Sequence, residues 1–275
     1  MNRELEILRS VCEFFKNKCQ GIRFFIVDLL FPIECLGCGK YGRWVCIKCL
    51  AKIKFTAGQS CPACKAPAEY GEFCPTCRKN FFLDGIMVAG DYRNPLLAKL
   101  IKQMKYHFTR EIAELLGDFL VLFLRDLANR KSLSNADIFI GSIWRRLEEI
   151  KNAPPVLNRG ATVIIPVPLH KKRLRWRGYN QAEELGKRIA CRLGYEMRTN
   201  EIARKKYRTP QAKLSHEDRL HNIAGCFRYS GAGLNGLNAI LIDDVATTAS
   251  TLNECAKILK QNGANQVWGL VAAKG

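Results

Sequence analysis

Apolar positions along this chain follow two spacings, a helical one of about 3.6 residues and short unbroken runs, and together they predict an α/β protein. Leu5, Leu8, Cys12, Phe15 and Cys19 share one stripe with charges elsewhere, which predicts a leading helix interrupted at Gly21. An apolar run from Phe24 to Phe31 follows and ends at Pro32. It either packs against the module that follows or makes peripheral membrane contact, since Lys16, Lys18 and Arg23 stand beside its aromatics. Ile86, Val88 and Ala89 predict a strand before Asp91. Pro95 then starts a helix with Leu96, Leu97, Leu100, Ile101 and Met104 on one face and Lys99, Lys102 and Lys105 on the other. Lys102, Lys105 and Tyr106 line either a phosphate or nucleic-acid surface or a plain solvated face. Residues 111–129 continue as a second helix, with Ile112, Leu115, Leu116, Phe119, Leu122 and Phe123 inward.

Residues 130–160 break this rhythm and read as an insertion with a short helix. Residues 161–169 are a buried strand that ends at prolines, and His170, Lys171, Lys172, Arg173, Arg175 and Arg177 follow it as a basic loop. Asn180 and Glu183 predict an N-cap with its reciprocal acid, Ala182, Leu185, Ile189, Ala190 and Leu193 an apolar helix face, and Gly194 the stop. Residues 196–230 are polar, basic and weakly periodic, which predicts a mobile loop. In it Arg204 and Lys205 are candidates for neutralising a pyrophosphate. Gln266 to Ala273 predict a final strand.

The densest chemistry lies at residues 238–251. Ala239 to Ile242 read as a strand covered on both faces, ending at Asp243 and Asp244. Ala246-Thr247-Thr248-Ala249-Ser250 has no bulky side chain, so its backbone N–H groups are open to close approach. Thr251 opens a helix, with Glu254 completing a capping-box pattern, and Asn262-Gly263 ends it. Amides and hydroxyls at a helix N-terminus suit a phosphate, and paired carboxylates beside it suit sugar hydroxyls, bound directly or through Mg²⁺.

Strand, Asp-Asp-Val-x-Thr-Thr, small residues and Thr resemble the signature of the type I phosphoribosyltransferases. That resemblance implies binding of 5-phosphoribosyl-1-pyrophosphate with Mg²⁺, and possible pentosyl transfer. Asp243 and Asp244 would face the ribose hydroxyls as the catalytic acids, and Val245, Ala246, Thr247, Thr248, Ala249, Ser250 and Thr251 would form the phosphate-binding turn. The family usually carries Gly where this chain has Ala249, which puts turnover in question more than binding.

Thirteen cysteines change the picture of the N-terminal part. Eight form four Cys-x-x-Cys pairs: Cys35/Cys38, Cys46/Cys49, Cys61/Cys64 and Cys74/Cys77. In a chain without an export signal this pattern is metal binding, because each pair presents two thiolates to one tetrahedral ion. Two structural Zn²⁺ with sequential pairing are assigned, and cross-braced pairing is the alternative. Metal would supply folding energy that so short a segment lacks. The expected organisation is a lead over 1–34, a double zinc ribbon over 35–80, and a phosphoribosyltransferase-like domain over 81–275 with its insertion at about 130–160.

Pro166-Val-Pro-Leu, the basic stretch and Arg177-Gly-Tyr-Asn-Gln181 are similar to the competence protein F (ComF) family, which also carries N-terminal zinc ribbons. That resemblance implies a type I phosphoribosyltransferase-like fold with a mainly parallel sheet. It implies that Leu169 and His170 form the pyrophosphate loop and that Arg177 and Gln181 belong to the same pocket, Arg177 being alternatively a surface ion pair. It matches Gln211 and Arg219 to residues usual in the family. It also implies handling of single-stranded DNA, with competence-machinery proteins as partners. The alternative is a DNA-binding module without turnover, with Trp44, Tyr106, Trp176 and Tyr179 for stacking, or a scaffold. A net charge of +19, from 44 basic and 25 acidic residues, fits a polyanionic partner or an anionic lipid surface. No apolar run reaches about 18 residues and no signal peptide is legible, so a cytoplasmic protein is expected, at the inner face of the membrane if the apolar lead makes contact there.

Overall fold

The computed structural model describes residues 32–106, 109–129, 157, 161–205, 223 and 225–275. The leading helix, the apolar run before Pro32, nearly all of the 130–160 insertion, and Gln211 and Arg219 lie outside them. The chain divides between Lys52 and Ile53 into two compact units, and the division falls between the two zinc ribbons.

In the first unit Cys35 N–H donates to the Lys40 carbonyl at 2.8 Å and closes a tight turn through Gly39, whose φ of 73° is open to glycine. Helix α1, Ile47–Leu50, is a single turn begun at Cys46.

The second unit opens with the other ribbon. Strands β1 (Gln59–Ser60) and β2 (Pro67–Ala68) form an antiparallel pair, and α2 (Pro75–Arg78) carries Pro at its start. This ribbon is tied to the first strand of the sheet, β3 (Gly85–Asp91). The Gln59 carboxamide accepts the Val88 N–H at 2.9 Å and donates to the Val88 carbonyl at 3.0 Å. Phe73 stacks on Phe81 with centroids 4.2 Å apart. Buried Asp84 takes the Val267 N–H at 2.7 Å and ion pairs from Arg78 and Lys260, so ribbon, sheet and a following helix meet on one carboxylate.

Beyond β3 come α3 (Pro95–Tyr106) and α4 (Arg110–Asn129), then β4 (Thr162–Pro166), α5 (Lys171–Arg177), α6 (Gln181–Leu193), β5 (Glu196–Met197), β6 (Ile202–Arg204), β7 (Phe227–Tyr229), β8 (Asn238–Ala246), α7 (Ser250–Gln261) and β9 (Val267–Lys274). Among the described residues the main sheet has five strands in the order β3-β9-β8-β4-β5, all parallel. The α/β architecture with a parallel sheet is therefore as the sequence predicts. The central strands are apolar on both faces because helices cover both. Ile86, Val163, Ile165, Ala239, Leu241, Val267 and Val271 meet Leu252, Cys255, Ala256 and Leu259 of α7 in one core layer. The opposite face carries α4 and α6, which approach closely at Gly117: a Cβ there would lie 2.6 Å from Arg188 Cβ. Arg188 forks onto Asp118 beside this crossing, at 2.8 and 2.7 Å.

The strand order places a switch point between β4 and β8. From β4 the chain crosses to β5 on one side, and from β8 it crosses to β9 on the other. A crevice opens above the carboxyl ends of such a pair, and ligands of open α/β sheets bind there.

Five local readings are corrected. The stretch after β4 is a helix, not a loop: the His170 Nδ1 accepts the Lys172 N–H, Gly178 closes the end at φ 75°, and nothing between is a helix breaker. Strand β8 continues through both acids to Ala246, because Asp243, Val245 and Ala246 still pair with β9. Glu183 does not return to its cap but pairs with Lys187 at 2.8 Å, while Asn180 does cap α6 and also donates to the Val167 carbonyl at 3.1 Å. Helix α7 begins at Ser250 without a side-chain cap, and Glu254 accepts the Gly225 N–H at 2.8 Å instead of completing a capping box. Within the 196–230 segment, predicted as a mobile loop, β6 and β7 form an antiparallel pair.

Candidate functional site

The eight ribbon cysteines gather as the sequential pairing requires. Cys35, Cys38, Cys46 and Cys49 form one group and Cys61, Cys64, Cys74 and Cys77 the other, with all sulfurs of a group within 4.8 Å of one another. Cys38 and Cys46 Sγ are 3.6 Å apart, and so are Cys64 and Cys74. A tetrahedral Zn²⁺ with Zn–S bonds of about 2.3 Å has S···S edges of about 3.8 Å, so both groups fit a structural zinc. Backbone donors aim at the first sulfur of each set, Cys46 N–H at Cys35 Sγ (3.2 Å) and Cys74 N–H at Cys61 Sγ (3.5 Å). Burial would raise the Cys35 and Cys61 thiols, but these and neighbouring N–H groups outweigh it and bring both down to about 6. That favours the thiolate a metal needs.

The second candidate site stands at the switch point. Asp243 and Asp244 are consecutive in β8, so their side chains leave on opposite faces. Asp243 is half-buried and its Oδ1 accepts the N–H of Asp244 at 2.8 Å. Burial, reinforced by the neighbouring Asp244 carboxylate, pushes the Asp243 carboxyl up to about 7, against the opposing pull of Lys105 and Arg204. Asp244 is 3% exposed, and Lys105 at the end of α3 reaches its Oδ1 at 2.9 Å. Burial would lower the Lys105 pKa, but Asp244 outweighs that and holds it raised.

Two further cations converge. Arg177, the last residue of α5, is buried and donates to Gln181 Oε1. Burial lowers its pKa while the Asp244 charge works against that. Arg204 of β6 lies over the Phe227 ring at 5.3 Å and feels the Asp243 charge. Asp244 Oδ2, Arg177 Nε and Arg204 Nε are buried with no hydrogen-bond partner among the described residues. These three atoms leave hydrogen-bonding capacity unfilled around the pair of acids.

Next to the acids is the turn into α7. Val245 is half-buried, Ala246 buried, Thr247 exposed, Thr248, Ala249 and Thr251 half-buried and Ser250 buried. The Thr248 and Ser250 hydroxyls bond to each other. The N–H groups of Thr247, Thr248 and Ala249 make no hydrogen bond among the described residues, and those of the first turn of α7 are open by helix geometry. Ala249 sits at φ 59°, in the left-handed region, so the backbone here takes a glycine-like conformation with an alanine in it.

Of the other predicted residues, Leu169 and His170 follow β4 and are half-buried, with His170 capping α5. Arg177 is buried against Gln181 and is not a surface ion pair. Tyr179 is corrected as a stacking candidate, because it is buried and its hydroxyl donates to the Met104 carbonyl. Trp44 is half-buried, whereas Tyr106 and Trp176 are 54% and 57% exposed and meet edge-on at 6.1 Å. Sequence reasoning offered Lys105 as a phosphate or surface residue and missed its pairing with Asp244, which no local pattern announces. No helix among the described residues is long and apolar enough to cross a membrane.

Residues 26–78 match the double zinc ribbon domain family. The chain is 28% identical to the DNA utilization protein YhgH of Escherichia coli (strain K12) over 234 residues, 83% of this chain and 91% of that protein. It is 24% identical to the competence protein ComFC of Bacillus subtilis (strain 168) over 227 residues, covering 80% of this chain and 79% of that one. With the competence protein F of Haemophilus influenzae it shares 31% identity over 255 residues, 88% of this chain and 98% of that protein. Agreement across almost the full length of that relative establishes that the chain belongs to the competence protein F family.

Proposed function

We propose that the crevice above β4 and β8 binds 5-phosphoribosyl-1-pyrophosphate, and that the protein serves DNA uptake or utilisation. The observation that carries the ligand reading is the set of orphaned atoms, Asp244 Oδ2, Arg177 Nε and Arg204 Nε, around the acid pair. Asp244 Oδ2 awaits a donor such as a ribose hydroxyl, while the two guanidinium nitrogens await acceptors such as pyrophosphate oxygens. The open amides of Thr247 to Ala249 and the start of α7 suit the 5′-phosphate. Bound Mg²⁺ would neutralise pyrophosphate charge, held by ligand oxygens with an Asp243 or Asp244 carboxylate nearby. The acids would stabilise positive charge developing on the ribose ring, and Arg177 and Arg204 negative charge on the leaving pyrophosphate. The relatives' names, competence protein and DNA utilization protein, support the cellular role.

A second reading, single-stranded DNA binding, is favoured by exposed Trp176 on the basic helix α5 and exposed Tyr106 against it. The two readings have separate tests. Thermal melting with phosphoribosyl pyrophosphate and Mg²⁺ should raise the melting temperature of the wild type and leave Asp244→Asn unmoved. An unmoved wild type at saturating ligand rejects the first reading. Titration of single-stranded oligonucleotide should show affinity falling steeply with salt and lost in Trp176→Ala. A salt-independent or absent signal rejects the second.

A further inference from the structure

A cavity of about 430 Å³ lies between the second zinc ribbon and the carboxyl ends of β3, β8 and β9. Gln59, Pro62 and Lys65 form its ribbon wall, Val88 its sheet wall, and Thr247 and Ala249 its border with the turn into α7. Lys274, at the end of β9, enters it with Nζ held by the Pro62 carbonyl at 3.1 Å. Lys65 lines the same cavity, which therefore holds two ammonium groups. No side-chain carboxylate among the described residues pairs with either. Asp91, which also borders the cavity, is engaged by Arg93 at 2.8 Å and through a second nitrogen. Two adjacent like charges in a partly enclosed space repel, and an anion placed between them removes that cost. Ile86, Val88 and Ala249 add apolar surface. The volume is that of a small-ligand site, with room for one or two rings.

We propose that this cavity binds a small ring compound carrying one acidic group, recognised by Lys65 and Lys274. Its identity as the second reactant rests on the reading of the adjoining turn as a sugar-phosphate site; the anion site itself does not. In that role a ring nitrogen uses its lone pair to form a bond to C1 of the ribose. The C1–O bond breaks, pyrophosphate leaves with the bonding pair, and the nitrogen's proton passes to water. The ribbon then acts as one wall of the reaction chamber.

Pyridoxal 5′-phosphate, a one-ring phosphorylated aldehyde, is a direct probe, with borohydride to trap the imine it forms with an amine. Labelling of the zinc-loaded wild type without phosphoribosyl pyrophosphate should map first to Lys274 or Lys65, ahead of the exposed Lys171 and Lys172. Lys274→Met should lose that preferential label while keeping its zinc content and melting temperature. Label spread over surface lysines according to exposure, or preferential label surviving in Lys274→Met, overturns the proposal. The phosphoribosyl pyrophosphate melt is read in parallel. Preferential label without a melting shift keeps the anion site and removes its role as second reactant, whereas a melting shift without preferential label removes the cavity proposal alone.

Discussion

Asp243 holds a carboxyl whose pKa is about 7 in a position where the unperturbed value is 3.8, and that difference is a cost to the folded state. The sign follows from proton binding. Below pH 4 the group is protonated folded and unfolded, and contributes nothing. Between 4 and 7 the unfolded chain releases the proton while the folded one keeps it, so stability falls as pH rises; above 7 the cost is constant. At about 1.36 kcal/mol per unit, the penalty is at most about 4 kcal/mol at pH 8 and about 2 kcal/mol at pH 5.5. Partial solvent access screens it, so about 2–4 kcal/mol at pH 8 is the working range. Asp243→Asn keeps the shape and the oxygen that accepts the Asp244 N–H, and removes the charge. Urea unfolding followed by tryptophan fluorescence should therefore find the variant more stable than wild type at pH 8, with about half that gain at pH 5.5. A gain that does not grow with pH, or a loss at pH 8, refutes the reasoning. A stabilising substitution at this carboxylate is what a site built for binding predicts, since function there is maintained against the stability of the fold.

Lys105→Met leaves the buried Asp244 carboxylate without its ion-pair partner and should cost about 2–4 kcal/mol in urea unfolding at pH 7, with Lys105→Arg recovering most of it. Ala249→Gly removes the left-handed strain at φ 59°, worth about 1–2 kcal/mol, but loosens the unfolded chain, so a net gain of up to about 1 kcal/mol is expected; a clear loss would mean the turn is not held as described. Elemental analysis should find two Zn²⁺ per chain, one in Cys35→Ser and one in Cys61→Ser. Cys61→Ser should also lower the melting temperature of the sheet-bearing unit, because the second ribbon is hydrogen-bonded to β3.

What the sequence disclosed was local. Cys-x-x-Cys spacing fixes which thiolates share a turn, and in each group the two neighbouring pairs close on one another. The run from Asn238 to Thr251 carries its own strand, acids and small-residue turn, so its architecture is legible without knowing any neighbour. The failures occurred where distance in sequence decides. Glu254 has the spacing of a capping acid, yet an amide from the β6–β7 side, Gly225, claims it. The basic stretch after β4 has no apolar stripe and reads as loop, but a cap at His170 and a glycine at 178 suffice for two turns of helix. Lys105 and Arg204 look like any other surface cations in a basic chain until α3 and β6 deliver them to the acids. The cavity walled by Lys65 and Lys274 is formed by residues from opposite ends of the unit, which no window along the chain contains.

The paired hydrogen bonds between the Gln59 carboxamide and Val88 have a consequence for how the molecule behaves in company. β3 is the outermost strand on its side, and its free N–H and C=O groups would invite another chain to extend the ladder. A carboxamide presents the same donor and acceptor as a peptide unit, so the glutamine stands in for one residue of a further strand, beside the bridge that Glu72 makes to Gly85. With the Ile86 N–H taken by the Gly71 carbonyl and the Ala89 carbonyl by the Thr56 N–H, this border is closed to a further strand, and neighbouring copies of the chain can lie side by side without being stitched together there.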